Sequence, residues 1–353
     1  MGGFHVYCAL CGGPFGQLYW EPRENSQRSY DPDVLEDPED PELAWLNDFR
    51  VIGENPEAEG PSKIWISGPA TDYENGAMDF EPGDPPDPAL PEPGDISVYQ
   101  WDVDEPWAAP FHICCREVLC RYLSISAFHL DKEVFFETLH SMAEKDPYAT
   151  SLEIDYGDVI DGMEQYWWTE RDMEHFVFNP VEVKGLKGFL ANLPQRNVSI
   201  DRPATAFNTR GDPFATLPPD ILLIIMTHLK KMATVFEARR ASPAFANLEL
   251  TNSFWRNRLH SDMPWLWDLP AATTEQQRNK TDWQFVYRKL YWGSKGFSQK
   301  KNKIYGLCNR RRIWEQLCPI FADAYLDIEA CPGRLRAITP TILDGTSNLS
   351  LDS

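Results

Sequence analysis

Proline sets the terms for the first third of the chain. Of 29 prolines in 353 residues, 16 fall within residues 1–110. Proline fixes φ and has no N–H to donate, so in a helix interior it removes a hydrogen bond and clashes with the preceding turn. Helix is therefore improbable before residue 110, and order there must come from short strands and turns. Trp45 to Ile52 and Lys63 to Ser67 have the apolar alternation of short strands. The stretches Glu21 to Pro41 and Phe80 to Asp95 are acidic and proline-rich. The second has almost nothing to bury and reads as a mobile surface loop.

Charge follows the same division. Residues 1–110 hold 24 Asp/Glu against 4 Lys/Arg, which is −20 of a whole-chain charge of −21. Lys230 to Arg312 carries 17 bases and 6 acids. So acidic a front argues against nucleic acid as the main partner, since a phosphate backbone rewards basic surface. The longest apolar run, Ile221 to Met226, is far short of the ~18–20 residues that span a bilayer. No basic and apolar leader opens the chain, and Val6 stands where a myristoylation motif wants Ser or Thr. The expectation is an intracellular protein of cytoplasm or nucleus with no membrane contact.

Eight cysteines in such a compartment are reduced thiols, and clustered thiols point to a metal. Cys8-x2-Cys11-Gly-Gly-Pro has the form of a zinc knuckle, in which two thiolates reach one tetrahedral ion and glycine lets the turn close. His112-x2-Cys115 supplies a second pair where helical patterning begins. A knuckle plus a helix-start pair resembles a treble-clef site, and Cys8, Cys11, His112 and Cys115 would make a closed, structural zinc centre. Cys114 and Cys120 compete with Cys115, and packed thiols without metal are the plain alternative. The long separation costs little, because loop closure adds only about 0.6 kcal/mol per doubling of length. Structural zinc contributes on the order of 10 kcal/mol.

Helix follows from His112, with Asp131 as N-cap of a second helix through Val134, Phe135, Leu139 and Met142. Residues 150–210 read as mixed. From Asp212 the pattern is nearly all helical, with starts at Pro218-Pro219-Asp220, Ser242-Pro243 and Asp282. A last helix, Arg310 to Leu326, places Ile313, Leu317, Ile320, Phe321 and Ala324 on one stripe. Trp255, Trp265, Trp267, Trp283 and Trp292 read as packing around these helices.

The short helix after Leu217 is apolar nearly all round, so it needs cover on two faces. One face can be its own domain, and another polypeptide is the natural cover for the second. A fully buried core helix is the competing reading. Leu217-Pro-Pro-Asp-Ile-Leu, then Leu229, then Val235 through Arg-Arg-Ala-Ser-Pro-Ala-Phe245, then Phe254-Trp255-Arg256, closely resembles an F-box over about Asp212 to Leu259. Further stretches are similar to fungal F-box domain proteins, namely the Cys8 motif, Leu152 to Val159, Glu164 to Trp167, Asn179-Pro-Val and Asn309 to Trp314.

That resemblance implies a three-helix module docking on the Skp-type adaptor of a cullin–RING ubiquitin ligase, while the rest of the chain holds an unknown protein substrate. Adaptor contacts carried over by position are Leu217, Pro218, Ile221, Leu222, Ile225, Leu229, Ala241, Ser242 and Phe245. No residue would perform chemistry. The alternative is a zinc-containing scaffold or nucleic-acid-associated protein whose F-box-like helices are only its own core, with Lys295 to Lys303 and Arg310-Arg311-Arg312 as its basic patch. A solvated helix face is the commoner fate of such a run.

An enzyme reading is poor. Asp155, Asp158, Asp161 and Glu164 match no defensible carboxylate or calcium spacing and read as solvated turn residues. His175, His228 and His260 lack nucleophile partners, and no phosphate loop, nucleophile elbow or HExxH is present. The fold class expected is α+β. Its divisions are a zinc-stabilised region at 1–130, a mixed connection at 131–211, the F-box at 212–259, a helical region at 260–330 and a frayed tail at 331–353.

Overall fold

Strands form in the proline-poor gaps. The computed structural model describes residues 6–16, 41–73, 76–92, 94–100, 106–146, 149–157, 174–196, 207–269, 280–296 and 302–330. Among them, residues 6–112 hold no α-helix, only a 3-10 turn at Pro41–Asn47. Strand β1 (Phe49–Glu54) is the centre of an antiparallel sheet, flanked by β2 (Ile64–Ile66) and β6 (Ala108–His112). The register sets Ile52 against Ile66 and Phe49 against His112. Pro110 sits in β6, an outer strand, where a missing N–H is tolerated. Gly53 is required in β1, because a Cβ there would lie 2.6 Å from the Trp65 indole that crosses the sheet.

A second antiparallel sheet joins β3 (Ala70–Tyr73), β4 (Ala77–Phe80) and β5 (Ile96–Ser97). The loop between β4 and β5 is more tied down than its composition suggests. Asp87 pairs with Lys132 at 2.8 Å and accepts the Ala89 N–H, and Ala89 is buried.

Helix α1 (Ile113–Tyr122) continues directly from β6, and α2 (Lys132–His140) starts at Asp131, whose side chain accepts the Val134 N–H at 3.0 Å. The chain divides into two compact units, Met1–Val181 with Arg312–Ser353 and Glu182–Arg311. These cut across the sequence divisions because the last helix packs on α1 and α2.

The second unit holds α3 (Leu186–Ala191), α4 (Pro219–His228), α5 (Met232–Ala241), α6 (Pro243–Asn247), α7 (Asn252–Asp262), α8 (Trp283–Gly293) and α9 (Tyr305–Arg312), whose final residue belongs to the first unit. The side chains of Asp212, Ser242, Thr251 and Asp282 each cap a helix start. Helices α7 and α8 pack together, with Trp255 against Tyr287 at 5.4 Å. In the first unit a π turn, Ile313–Leu317, leads into α10 (Cys318–Ala330). The wider π turn rotates the stripe that follows it. Ile320, expected inward, is 37% exposed, and Tyr325 and Ile328 are buried instead.

The fold is therefore mixed α+β with two small sheets and a helical C-terminal half. No helix among the described residues is long and apolar enough to cross a membrane. The acidic stretch before Pro41, Asp158, Asp161 and Glu164, the Tyr166-Trp167-Trp168 run, Phe297 to Lys301 and the tail after Ala330 lie outside the described residues.

Candidate functional site

The N-terminal turn is built to present two thiols. Cys8 N–H donates to Gly13 at 2.9 Å, and the Cys11 and Gly12 N–H groups both return to the Cys8 carbonyl. Gly12 closes the turn at φ +66°, a value that side-chain-bearing residues rarely adopt. Ala9 N–H then bonds the Pro110 carbonyl at 2.9 Å, which brings the turn alongside the end of β6. There His112 N–H reaches the Cys8 sulfur at 3.3 Å, and Cys115 follows on the first turn of α1.

Cys8, Cys11, His112 and Cys115 are all fully buried, with their ligand atoms within 4.8 Å of one another. His112 Nδ1 lies 3.6 Å from the Cys11 sulfur and 4.0 Å from the Cys115 sulfur. A tetrahedron with zinc-like bond lengths sets nitrogen about 3.5 Å from each sulfur and the sulfurs about 3.8 Å apart. The cluster needs only small adjustment to hold a divalent ion. Nδ1 is the nitrogen aimed at the thiols, while Nε2 is buried and has no hydrogen-bond partner among the described residues. The structure thus selects Cys115 over both competitors: Cys114 is only half-buried, and Cys120, though buried, is outside the cluster.

Electrostatics point the same way. Burial pushes the Cys8 thiol up, but hydrogen bonds with Cys11 and Cys115 and the charge of His112 outweigh it and hold it well below the thiol range. Burial disfavours the His112 imidazolium, yet the Cys8 thiolate and bonds with Cys11 push it up to about 10. Burial, then Cys11 and Cys8, holds the Cys115 thiol well above its usual value. Four groups this close favour positive charge in their midst, which a metal cation supplies in place of protons.

The surroundings hold the cluster rigid. The His112 ring is packed by Phe15 at 4.6 Å and Trp45 at 4.7 Å, and Trp45 donates to the Val177 carbonyl. Tyr156 donates to Ala9 O at 2.7 Å, and Tyr99 to Tyr7 O at 2.6 Å. Arg312 donates to Cys11 O at 2.9 Å and Tyr156 O at 3.1 Å, with its guanidinium 3.6 Å over the Phe176 ring. Sequence reasoning missed this shell. Arg312 sat in a run read as a basic patch or solvated face, and neither holds: Arg310 is 0% exposed, paired with Asp268 and 3.9 Å over Trp267, and Arg311 lies over Tyr291.

The second feature is the face of α4. Leu222 and Met226, four residues apart, are buried, whereas Ile221 is 42% and Ile224 53% exposed. Pro218 and Ala241 are exposed, Leu217, Ile225 and Leu229 half-buried, and Phe214 just before the helix is 38% exposed. Three of the residues carried over as contacts point inward instead. Leu222 and Phe245 are core side chains, and Ser242 donates to Asp212 at 2.7 Å while capping α6 at Phe245 N–H. Ile224 and Phe214, absent from the carried-over set, are exposed. The linker after α4 is held by Arg258, which donates to Leu229 O at 2.5 Å and pairs with Asp262 at 2.8 Å.

Of the remaining candidates, Asp155 accepts the Gly157 N–H in an exposed turn, as expected of a solvated carboxylate. His228 and His260 are exposed, and His175 is buried against Phe176. No family model matches the chain, and no curated protein and no solved structure matches it.

Proposed function

We propose that this chain is a substrate-recognition adaptor of a cullin–RING ubiquitin ligase, working by tethering and not by chemistry of its own. The observation that carries the reading is the outward face of α4, where Ile221 and Ile224 stay about half exposed on a helix whose other side is buried. Single exposed apolar residues are ordinary, but two isoleucines one turn apart, just after the exposed Pro218 at the helix start, form a patch suited to another polypeptide. The F-box-like text falls on this helix, so the partner is a Skp-type adaptor. The rest of the chain holds a protein target, raising its effective concentration near the conjugating enzyme.

In the same reading the Cys8, Cys11, His112 and Cys115 cluster holds zinc. Three sulfurs and one imidazole nitrogen, buried and within 4.8 Å of one another, suit zinc's borderline softness, and four protein ligands would leave no open position, as in a structural site. The zinc-scaffold alternative with nucleic acid as ligand is weakened, because Arg310 and Arg312 are engaged within the protein.

Capture of a purified Skp-type adaptor by the full chain tests the proposal. Ile221→Asp with Ile224→Asp should abolish capture and leave thermal unfolding unchanged. Absence of capture by the wild type, or undiminished capture by the double variant, refutes it.

A further inference from the structure

The second unit contains a groove of about 820 Å³ between α5 and α8, within the size range of sites that take a drug-sized or side-chain-sized ligand. Its floor is aromatic. Trp255 meets Tyr287 at 5.4 Å, and Tyr287 stacks on Tyr291 at 5.3 Å with 12° between the rings. One side is apolar, formed by Met232, Phe236 and Leu248, and Phe236 is 50% exposed. On the other side stand Arg288 and Trp292, both exposed.

Charge decides what such a groove accepts. Tyr291 already has Lys295 Nζ 4.7 Å and the Arg311 guanidinium 4.9 Å from its ring centre, so the aromatic attraction for a cation is taken up from within. Arg239 is engaged with the Leu248 and Ala246 carbonyls, and Arg196 with Glu249. Arg288 differs: among the described residues it has no carboxylate partner. The unit from Glu182 to Arg311 carries 21 Lys/Arg against 10 Asp/Glu, whereas the rest of the chain is strongly acidic. The lining sets Arg196, Arg239 and Arg288 against Glu249 and Asp282. Glu249 is paired to Arg196 and Asp282 caps its helix at the Phe285 N–H, so a ligand meets a net positive charge and an apolar wall together.

Single-stranded nucleic acid is the less suitable occupant. It binds by stacking bases on open aromatic faces. Tyr287 is covered by Trp255 and Tyr291, Lys295 lies over both Tyr291 and Trp292, and an apolar wall gives phosphates nothing.

We infer that this groove binds an acidic peptide segment, seating one bulky apolar side chain between Phe236 and Trp255 with flanking carboxylates toward Arg288. Calling that peptide a ubiquitination target rests on the adaptor reading, but the binding itself does not.

The test uses the full chain and an array of nonamer peptides with a central Trp or Leu. One set is flanked by Asp and Glu and a matched set by Lys, and a fluorescent 15-mer of thymidine serves as competitor. The acidic set should be retained at least about tenfold better than the lysine set, and Arg288→Glu should remove that preference. Phe236→Asp should weaken retention of every acidic peptide. Equal retention of both sets, indifference to Arg288→Glu, or displacement by the oligonucleotide at equal concentration overturns the inference. The Ile221→Asp, Ile224→Asp variant is run in parallel. If it loses the adaptor but keeps the acidic preference, both readings stand. If the wild type captures no adaptor yet keeps the preference, only the ligase reading falls.

Discussion

Replacing Cys11 by Ser should strongly destabilise the first unit and leave the second intact. Cys11 and His112 are 101 residues apart in sequence but 3.6 Å apart in space. A metal bridging them therefore closes a loop of about a hundred residues, and the chain-entropy relation for a crosslink of that span gives about 4.7 kcal/mol. Zinc in small peptides contributes about 10–16 kcal/mol in all, whereas a whole domain is stable by only about 5–15 kcal/mol. Even the loop-closure part alone is thus comparable with everything holding the unit together. The second unit has its own core in Trp255, Trp265, Val286 and Leu290.

Two measurements check this. Elemental analysis of protein purified without added zinc should give about one equivalent for the wild type and a small fraction for Cys11→Ser. Native-state hydrogen exchange should show the amides of Tyr7–Gly16 and α1 losing about three orders of magnitude of protection, as a change of that size requires. The amides of α7 and α8 should keep theirs. A wild type holding less than about half an equivalent of zinc, or a Cys11→Ser variant with unchanged protection, would sink the argument and leave a packed thiol cluster.

Other consequences are smaller but distinct. Leu222→Asp should destabilise the second unit by several kcal/mol in urea unfolding, because it buries a charge, while Ile221→Asp stays within about 0.5 kcal/mol. Arg258→Met should cost about 3–5 kcal/mol by the same assay, since it leaves Asp262 buried without its cation and two carbonyls without their donor. Burial pushes the Cys308 thiol up to about 12 and raises the Cys318 thiol as well, so iodoacetamide at neutral pH should label half-buried Cys114 before the other described thiols, as read by peptide mass mapping. Hydrogen bonds from Ser242, Ala244 and Phe214 hold the Asp212 carboxyl below the usual carboxylate range. Its contribution is therefore present above the unfolded value and lost as pH falls through the folded one, and Asp212→Asn should flatten that acid limb of the stability curve.

The sequence made the α+β class and the four clustered side chains legible for local reasons. Proline density forbids helix whatever the tertiary context. The helix starts at Asp131, Ser242 and Asp282 are declared by side chains bonding within three residues. The CxxC and HxxC spacings each fix two ligands on one turn, so only their meeting needed the fold. That meeting runs through Ala9 N–H and the Pro110 carbonyl, a contact between backbones that leaves no mark in the residue types.

What stayed hidden has one common cause: a pattern gives period more readily than phase. Helix α4 is apolar on every side, so its spacing could not say whether Leu222 or Ile224 faces out. The packing of Met226, one turn from Leu222, decides it. The π turn at Ile313–Leu317 shifts phase partway through a stripe, turning Ile320 outward and Tyr325 inward, where its Oη accepts the Asp131 N–H at 3.0 Å. The triple arginine is the extreme case. Three adjacent positive side chains on a helix point in three directions about 100° apart, so a run that looks like a single patch is split among three environments. Arg310 goes to Asp268 and Trp267, Arg311 to Tyr291, and Arg312 to the carbonyl of Cys11. Charge clustered in sequence becomes charge clustered in space only where the helix period brings it back to the same face, at spacings of three or four.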